Sequence, residues 1–408
     1  MTNLPQGWEV KTLSEIGEII TGSTPSKSNV EFYGKDYPFF KPSDFEQGYF
    51  LENAGDNLSK LGFGKARQLP PKTILVVCIG SLGKVALTRV IGSCNQQINA
   101  IIPHKNIISE YIYYYCISSK FQSILFSKAP QTTLAIFNKT EFSKLEIIYP
   151  KDIKKQERIV GILDESFAKI DESIKILEQD LLNLDELMQS ALQKAFNPLK
   201  DNAKENYKLP QSWEWKSLGE ICFITDGTHK TPSYIKTGIP FLSVKNISKG
   251  FFDLSDIKYI SLEEHNKLIK RAKPEFGDIL ICRIGTLGKA IKISLEFEFS
   301  IFVSLGLLKP KVKIISDYLV YFLNSYFIEG WIDNNKVGGG THAAKLNLNI
   351  LEKCPIALPP LKEQEQIASH LDELSSHVKN LKQNYQAQIK DLQELKNSLL
   401  DKAFKGNL

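Results

Sequence analysis

The sequence predicts an α+β protein built from two tandem copies of one mixed unit, each copy followed by a long helix. Three observations carry this expectation. A block of motifs occurs twice in the same order, two segments hold a sustained 3.5-residue apolar period, and the remainder alternates short β-rich runs with Gly and Pro.

The duplication begins with "LPQGWEVKTLSEI", Leu4 to Ile16, which returns 205 residues later as "LPQSWEWKSLGEI", Leu209 to Ile221. At the same displacement "ILVVCIGSLGKV" (Ile74 to Val85) faces "ILICRIGTLGKA" (Ile279 to Ala290). "ISEYIYYY" (Ile108 to Tyr115) then faces "ISDYLVYF" (Ile315 to Phe322), and "KQERIVGILDE" (Lys155 to Glu165) faces "EQEQIASHLDE" (Glu363 to Glu373). Even the helix end "LDELMQSALQKAF", Leu184 to Phe196, recurs as "LQELKNSLLDKAF", Leu392 to Phe404. The expected boundaries are 1–150 for the first globular domain, 151–196 for the first long helix, 197–208 for a linker, 209–358 for the second domain and 359–408 for the second helix. The linker "NPLKDNAKENYK" is polar and starts at an Asn-Pro pair that discourages helix continuation.

Within each copy "TILVVCI", "DILICRI" and "IPFLSV" read as strands and Glu110 to Phe126 as helical. In the first long segment the apolar positions are Leu163, Phe167, Ile170, Ile174, Leu177, Leu181, Leu184, Met188 and Ala191, in alternating steps of four and three. The second gives Leu371, Leu374, Val378, Leu381, Tyr385, Gln388, Leu392, Leu395 and Leu399, broken only by Gln388. That period predicts a coiled-coil seam through Leu163, Ile170, Leu177 and Leu184 on one helix and Leu371, Val378, Tyr385 and Leu392 on the other. The alternative is two amphipathic helices packed on separate cores.

A chain of 408 residues exceeds what one core usually serves, and its 42% hydrophobic and 24% charged content is that of a globular protein. No apolar run reaches membrane-spanning length, and the first residues lack the pattern of a signal peptide, so a cytoplasmic location is expected. The six cysteines are dispersed, without a C-x-x-C pair, and read as reduced, buried thiols. A formal charge of +5 permits a nucleic-acid partner without demanding one.

Catalytic signatures are missing. "IGSLGK" and "IGTLGK" fail the phosphate-loop spacing, no Ser or Thr follows Lys84 or Lys289, and both read as Gly turns leaving a strand. There is no H-E-x-x-H, no G-x-S-x-G and no Asn-Pro-Pro-aromatic tetrapeptide; His370 and His377 read as surface residues of the second helix. No catalytic residue, no metal site and no cofactor are expected.

The ordered motifs, with "PPLKEQEQI" (Pro359 to Ile367) opening a long helix and "LxxSxLxKAF" closing both, resemble the specificity subunit of Type I restriction-modification enzymes over essentially the whole chain. The first copy departs from this pattern, with "YPKDIKKQERI" where the second has "LPPLKEQEQI". The resemblance implies that the globular units are target-recognition domains and that the helices pair antiparallel as a spacer. It also implies double-stranded DNA, two methyltransferase subunits and motor or restriction subunits as partners, with no membrane. Two loop pairs are implied to face DNA: "FFKPSDF" against "FLSVKNI", and "KAPQTTLA" against "KVGGGTHAAK". They give Lys41, Ser43, Gln131, Thr132 and Thr133 in the first copy, and Ser243, Lys245, Asn246, Thr341 and His342 in the second. Charge adds Arg67, Lys84, Arg271, Arg283 and Lys289, since phosphates attract Lys and Arg. Gly338 to Gly340 reads either as a flexible turn or as a place where backbone approaches phosphate. A protein-binding coiled-coil adaptor and an enzyme with an unrecognised site remain the alternatives.

Overall fold

The structure is a computed structural model and describes residues 4–128, 137–196, 212–339 and 343–408. The chain divides into two compact units, residues 1–178 with 386–408 and residues 179–385. Each long helix starts in one unit and ends in the other.

In the first unit, Trp8–Thr12 pairs antiparallel with Glu146–Pro150, closing the domain at its start and end. A five-stranded sheet runs Gly17–Thr21, Ile98–Pro103, Ile74–Val77, Val85–Thr88 and Phe50–Leu51. Ile74, Leu75, Val76 and Val77 are all fully buried, so this strand is covered on both faces and shows no polar alternation. A smaller sheet joins Asp56–Leu58, Tyr33–Phe40 and Ser93–Cys94. The helical stretch expected over Glu110 to Phe126 is two helices, Ser109–Ile117 and Ser119–Lys128. Ser118 separates them: its backbone is extended, its hydroxyl donates to the Tyr115 carbonyl at 2.6 Å, and that oxygen accepts from the Phe121 amide at 3.4 Å.

The second unit repeats the plan. Glu214–Ser217 pairs with Pro355–Leu358. A four-stranded sheet runs Cys222–Asp226, Leu305–Pro310, Ile279–Cys282 and Ala290–Lys292, and a three-stranded one Lys258–Ile260, Ile239–Leu242 and Ser300–Ile301. Gly22 and Gly227 hold matching places. A Cβ on Gly22 would lie 2.0 Å from the Asn95 carbonyl oxygen, and one on Gly227 2.0 Å from that of Ile301, so neither site admits a side chain.

The long helices span Ile153–Ala195 and Leu361–Phe404. Within the first unit Leu163 shares a core with Leu400, Ala403 and Phe404, and Asp171 pairs with Lys396. Within the second, Leu192 shares a core with Leu371, and Asp185 pairs with Lys382. Rising numbers on one helix meet falling numbers on the other, so the helices run antiparallel. Of the seam positions, Leu163, Ile170, Leu184, Leu371 and Val378 are buried, while Leu177, Tyr385 and Leu392 are half-buried.

The second helix departs from its expected stripe. Leu381 and Leu395 are 40% and 46% exposed, and Gln388 is exposed as well. The inward positions are Lys382, Ile389 and Lys396, each one residue later. Both lysines lay their aliphatic stems along the seam and reach a carboxylate at its edge. The break at Gln388 therefore disappears, with Ile389 filling that place.

The repeated helix ends have a common task. Phe404 meets Tyr111 and Tyr115 edge-on, with ring centroids 5.4 and 5.0 Å apart. Phe196 meets Tyr318 and Phe322 in the same way at 5.8 and 5.2 Å. Each "KAF" end thus plugs the aromatic helix of the unit in which its own helix did not begin. Edge-to-face pairs of this kind add about 0.5–1.5 kcal/mol beyond area burial.

Candidate nucleic-acid interface

In each unit a strand of the small sheet ends in a one-turn loop built the same way. The Lys41 amide donates to Asp44 Oδ2 at 2.7 Å, and the Ser243 amide donates to Asn246 Oδ1 at 2.9 Å. Asp44 also accepts from the Gly55 amide at 2.9 Å, while Asn246 Nδ2 donates to the Asp253 carbonyl at 3.0 Å. Asp44 and Asn246 are therefore equivalent loop anchors. Asn246 is 5% exposed and both ends of its amide are engaged, which corrects its expected place among DNA-facing side chains. The residue before each anchor, Ser43 or Lys245, is exposed.

Lys41 is half-buried and paired with Asp56, Lys84 is paired with Glu46, and Ser243 is half-buried at its loop. Lys289 is half-buried and, among the described residues, makes no ion pair. Gln131, Thr132, Thr133, Thr341 and His342, like Gly340, lie outside the described residues. Gly338 and Gly339 take positive φ of 85° and 134°, backbone that favours glycine. His370 and His377 are exposed.

Arg283 is only 6% exposed, a second correction to the expected set. Its Nη1 donates to Asp226 Oδ2 at 2.5 Å and to the Val303 carbonyl at 3.1 Å, and its Nε donates to the Leu346 carbonyl at 3.1 Å. Burial pulls this guanidinium below its ordinary value, and the Asp226 charge opposes that. Arg283 ties three segments together. The Val244 amide donates to Ser304 Oγ at 3.1 Å, so the loop carrying Lys245 joins the same network.

Asp226, 1% exposed, was not singled out by the sequence. Besides Arg283 it accepts from Arg271 Nη2 through Oδ1, and His229 Nε2 lies 3.1 Å from Oδ2. Arg271 Nε also donates to the Asp226 carbonyl at 3.2 Å. The side chains of Arg271 and His229 remain 55% and 62% exposed. The first unit keeps only part of this arrangement: Arg67, exposed, donates through Nη1 to the Thr21 carbonyl. The paired "TG" and "DG" at Thr21-Gly22 and Asp226-Gly227, 205 residues apart, were the available signal for these loops.

Among the described residues no group of three or more His, Cys, Asp or Glu is placed to hold a metal ion, and no helix is long and apolar enough to cross a membrane. All six cysteines are free and buried.

Two matched units with polar loops of different chemistry on one scaffold define a duplicated recognition protein. The family model for the Type I restriction modification DNA specificity domain matches residues 5–181 and 210–391, and the chain belongs to that family. It is a DNA sequence recognition subunit. It is 39% identical to the Type I restriction enzyme HindI specificity subunit of Haemophilus influenzae over 186 residues, 44% of this chain and 40% of that protein. Over 99% of this chain it is 25% identical to the MjaIX specificity subunit of Methanocaldococcus jannaschii and 23% identical to the EcoKI specificity subunit of Escherichia coli, spanning 94% and 90% of those proteins. The fold matches a chain solved in work on assembly and conformational transition of the type I R-M system, with TM-score 0.82 and 21% identity over the full length of both. It also matches the HsdS subunit of Thermoanaerobacter tengcongensis, with TM-score 0.59 and 20% identity over 99% of this chain and 98% of that one.

Proposed function

We propose that the chain reads an asymmetric, bipartite site on double-stranded DNA, one half-site per unit, and positions two methyltransferase subunits on that site. Motor or restriction subunits join the same complex in the cytoplasm, and this chain itself performs no catalysis. The observation that supports unequal half-sites is the polar centre of each unit: Thr21 with Arg67 in one, Asp226 with Arg271 and Arg283 in the other. Equal readers would call for equal side chains, as two-fold sites do in symmetric dimers. The DNA-facing set under this reading is Ser43, Arg67, Lys245, Arg271 and Lys289, joined by Lys41, Lys84, Ser243 and the loops holding Gln131, Thr132, Thr133, Thr341 and His342.

The paired helices act as a ruler between the half-sites. Inserting four residues near Asn183 adds about 6 Å at roughly 1.5 Å per residue. DNA rises about 3.4 Å per pair, so the spacer should lengthen by one or two pairs while the bases read stay the same. Methylation mapping of the assembled variant tests this, and an unchanged spacer in an active variant counts against the ruler. Incubating the isolated chain with DNA, Mg²⁺ and S-adenosylmethionine tests the absence of catalysis; turnover without partners would contradict it.

A further inference from the structure

We propose that Arg271 is a specificity-determining residue that reads one guanine of the half-site assigned to the second unit, and that Asp226 is the positioning residue that aims it. This rests on the DNA-reading role proposed above. Arginine carries five N–H donors in a planar fork. One edge of the Arg271 fork is already used, Nη2 on Asp226 Oδ1 and Nε on the Asp226 carbonyl. The opposite edge, both Nη1 hydrogens and the second Nη2 hydrogen, makes no hydrogen bond with the described residues, and the side chain is 55% exposed. Two parallel donors on a fixed plane match the O6 and N7 acceptors that guanine alone presents side by side in the major groove.

The anchoring is what separates base reading from phosphate binding. A phosphate accepts from many directions, so a mobile cation serves it; a base edge needs the donors aimed in its own plane. Asp226 is itself immobile, since Arg283 holds it from the buried side and is pinned in turn to Val303 and Leu346. The rotamer freedom of Arg271 is therefore lost during folding rather than on meeting DNA. Among the described residues Arg67 in the first unit has no such carboxylate; its Nη1 donates to one carbonyl, that of Thr21. His229 Nε2 lies 3.1 Å from Oδ2 of the same carboxylate.

The test uses the full chain assembled with its methyltransferase subunits. Binding is measured to duplexes carrying each base at every position of the mapped site, over a series of salt concentrations. Arg271→Lys keeps the charge and removes the fork; it should reduce discrimination at one guanine by roughly 10- to 100-fold and leave the salt slope unchanged. Arg271→Ala should relax the same position. Asp226→Asn should weaken preference there and nowhere else; if it fails to fold, the two Arg271 variants, which remove a side chain 55% exposed, carry the test. The inference is overturned if Arg271→Ala weakens binding evenly across sequences and lowers the salt slope by about one, the mark of a phosphate contact. It is also overturned if selectivity is unchanged in Arg271→Lys, or if that half-site holds no guanine on either strand. A parent complex without any base preference would instead defeat the recognition role itself, and this inference with it.

Discussion

The two units share a backbone and differ at its polar centre. In the first, Cys78 occupies the place that Arg283 holds in the second, and Asn99 the place of Gly306. The backbone hydrogen bonds persist: the Cys78 amide donates to the Gln97 carbonyl at 2.7 Å, and the Arg283 amide to the Ser304 carbonyl at 3.0 Å. The side chains are exchanged as a set. Thr21 Oγ1 donates to Asn99 Oδ1 at 2.7 Å in a neutral network, whereas the second unit buries Asp226 against Arg283. Gly306 carries no side chain where the first unit has Asn99, and a Cβ there would lie 2.9 Å from Ile281 Cγ2. The lesson is that a duplicated scaffold holds its sheets by main-chain bonds and apolar contacts, leaving its polar centre free to change in concert.

The largest effect expected from breaking this comparison lies where the units are most alike. Phe404→Ala and Phe196→Ala each empty a buried aromatic site, and each should cost about 3–5 kcal/mol. Urea unfolding followed by a probe in each unit should assign the first loss to the unit holding Tyr111 and Tyr115 and the second to that holding Tyr318 and Phe322. Losses assigned the other way round would break the exchange of helix ends.

At the polar centres the units should part company. Arg283→Met leaves Asp226 buried with only Arg271 and His229, and should cost roughly 3 kcal/mol, the low end for breaking a buried pair. Thr21→Val in the first unit removes one neutral hydrogen bond and leaves Asn99 Oδ1 short of a donor, at a cost of about 1–2 kcal/mol. Equal costs, measured by the same unfolding experiment, would mean that the ionic network is no stronger a constraint than the neutral one.

The smallest effect concerns the thiols, which should not distinguish the units at all. Burial pushes Cys78 and Cys94 in the first unit, and Cys222, Cys282 and Cys354 in the second, up to about 12, and raises Cys116 as well. A thiol raised this far stays protonated at pH 8, and the thiolate is the reactive form. Iodoacetamide at pH 8 should therefore leave the native protein unlabelled and, after denaturation, label all six cysteines. Rapid native labelling in one unit alone would show that its core opens more readily than the other's.

Much of this organisation was legible from sequence, because repeated motifs at a fixed displacement carry the scaffold and a 3.5-residue period marks the paired helices. What was not legible depends on long-range partners. Periodicity gives a helix its apolar face without saying which core its end enters, so the packing of Phe196 and Phe404 was not legible. A step of three or four satisfies the same period, so Lys382, Ile389 and Lys396 displaced Leu381, Gln388 and Leu395 from the seam. Lys245 and Asn246 are both polar neighbours in one loop, and only the fold shows that one faces out while the other anchors the turn. Arg283 read as a surface charge because its counterion, Asp226, lies 57 residues away along the chain.

Two like units are expected to read unlike sequences. Mapping the bases methylated by the assembled complex on random-sequence DNA tests this most directly. The expected result is a two-part site whose halves differ in sequence and are separated by a fixed run of unread pairs. A perfectly palindromic site would contradict it, since identical half-sites would require Arg271, held by Asp226, to read the same base as Arg67, which rests on the Thr21 carbonyl.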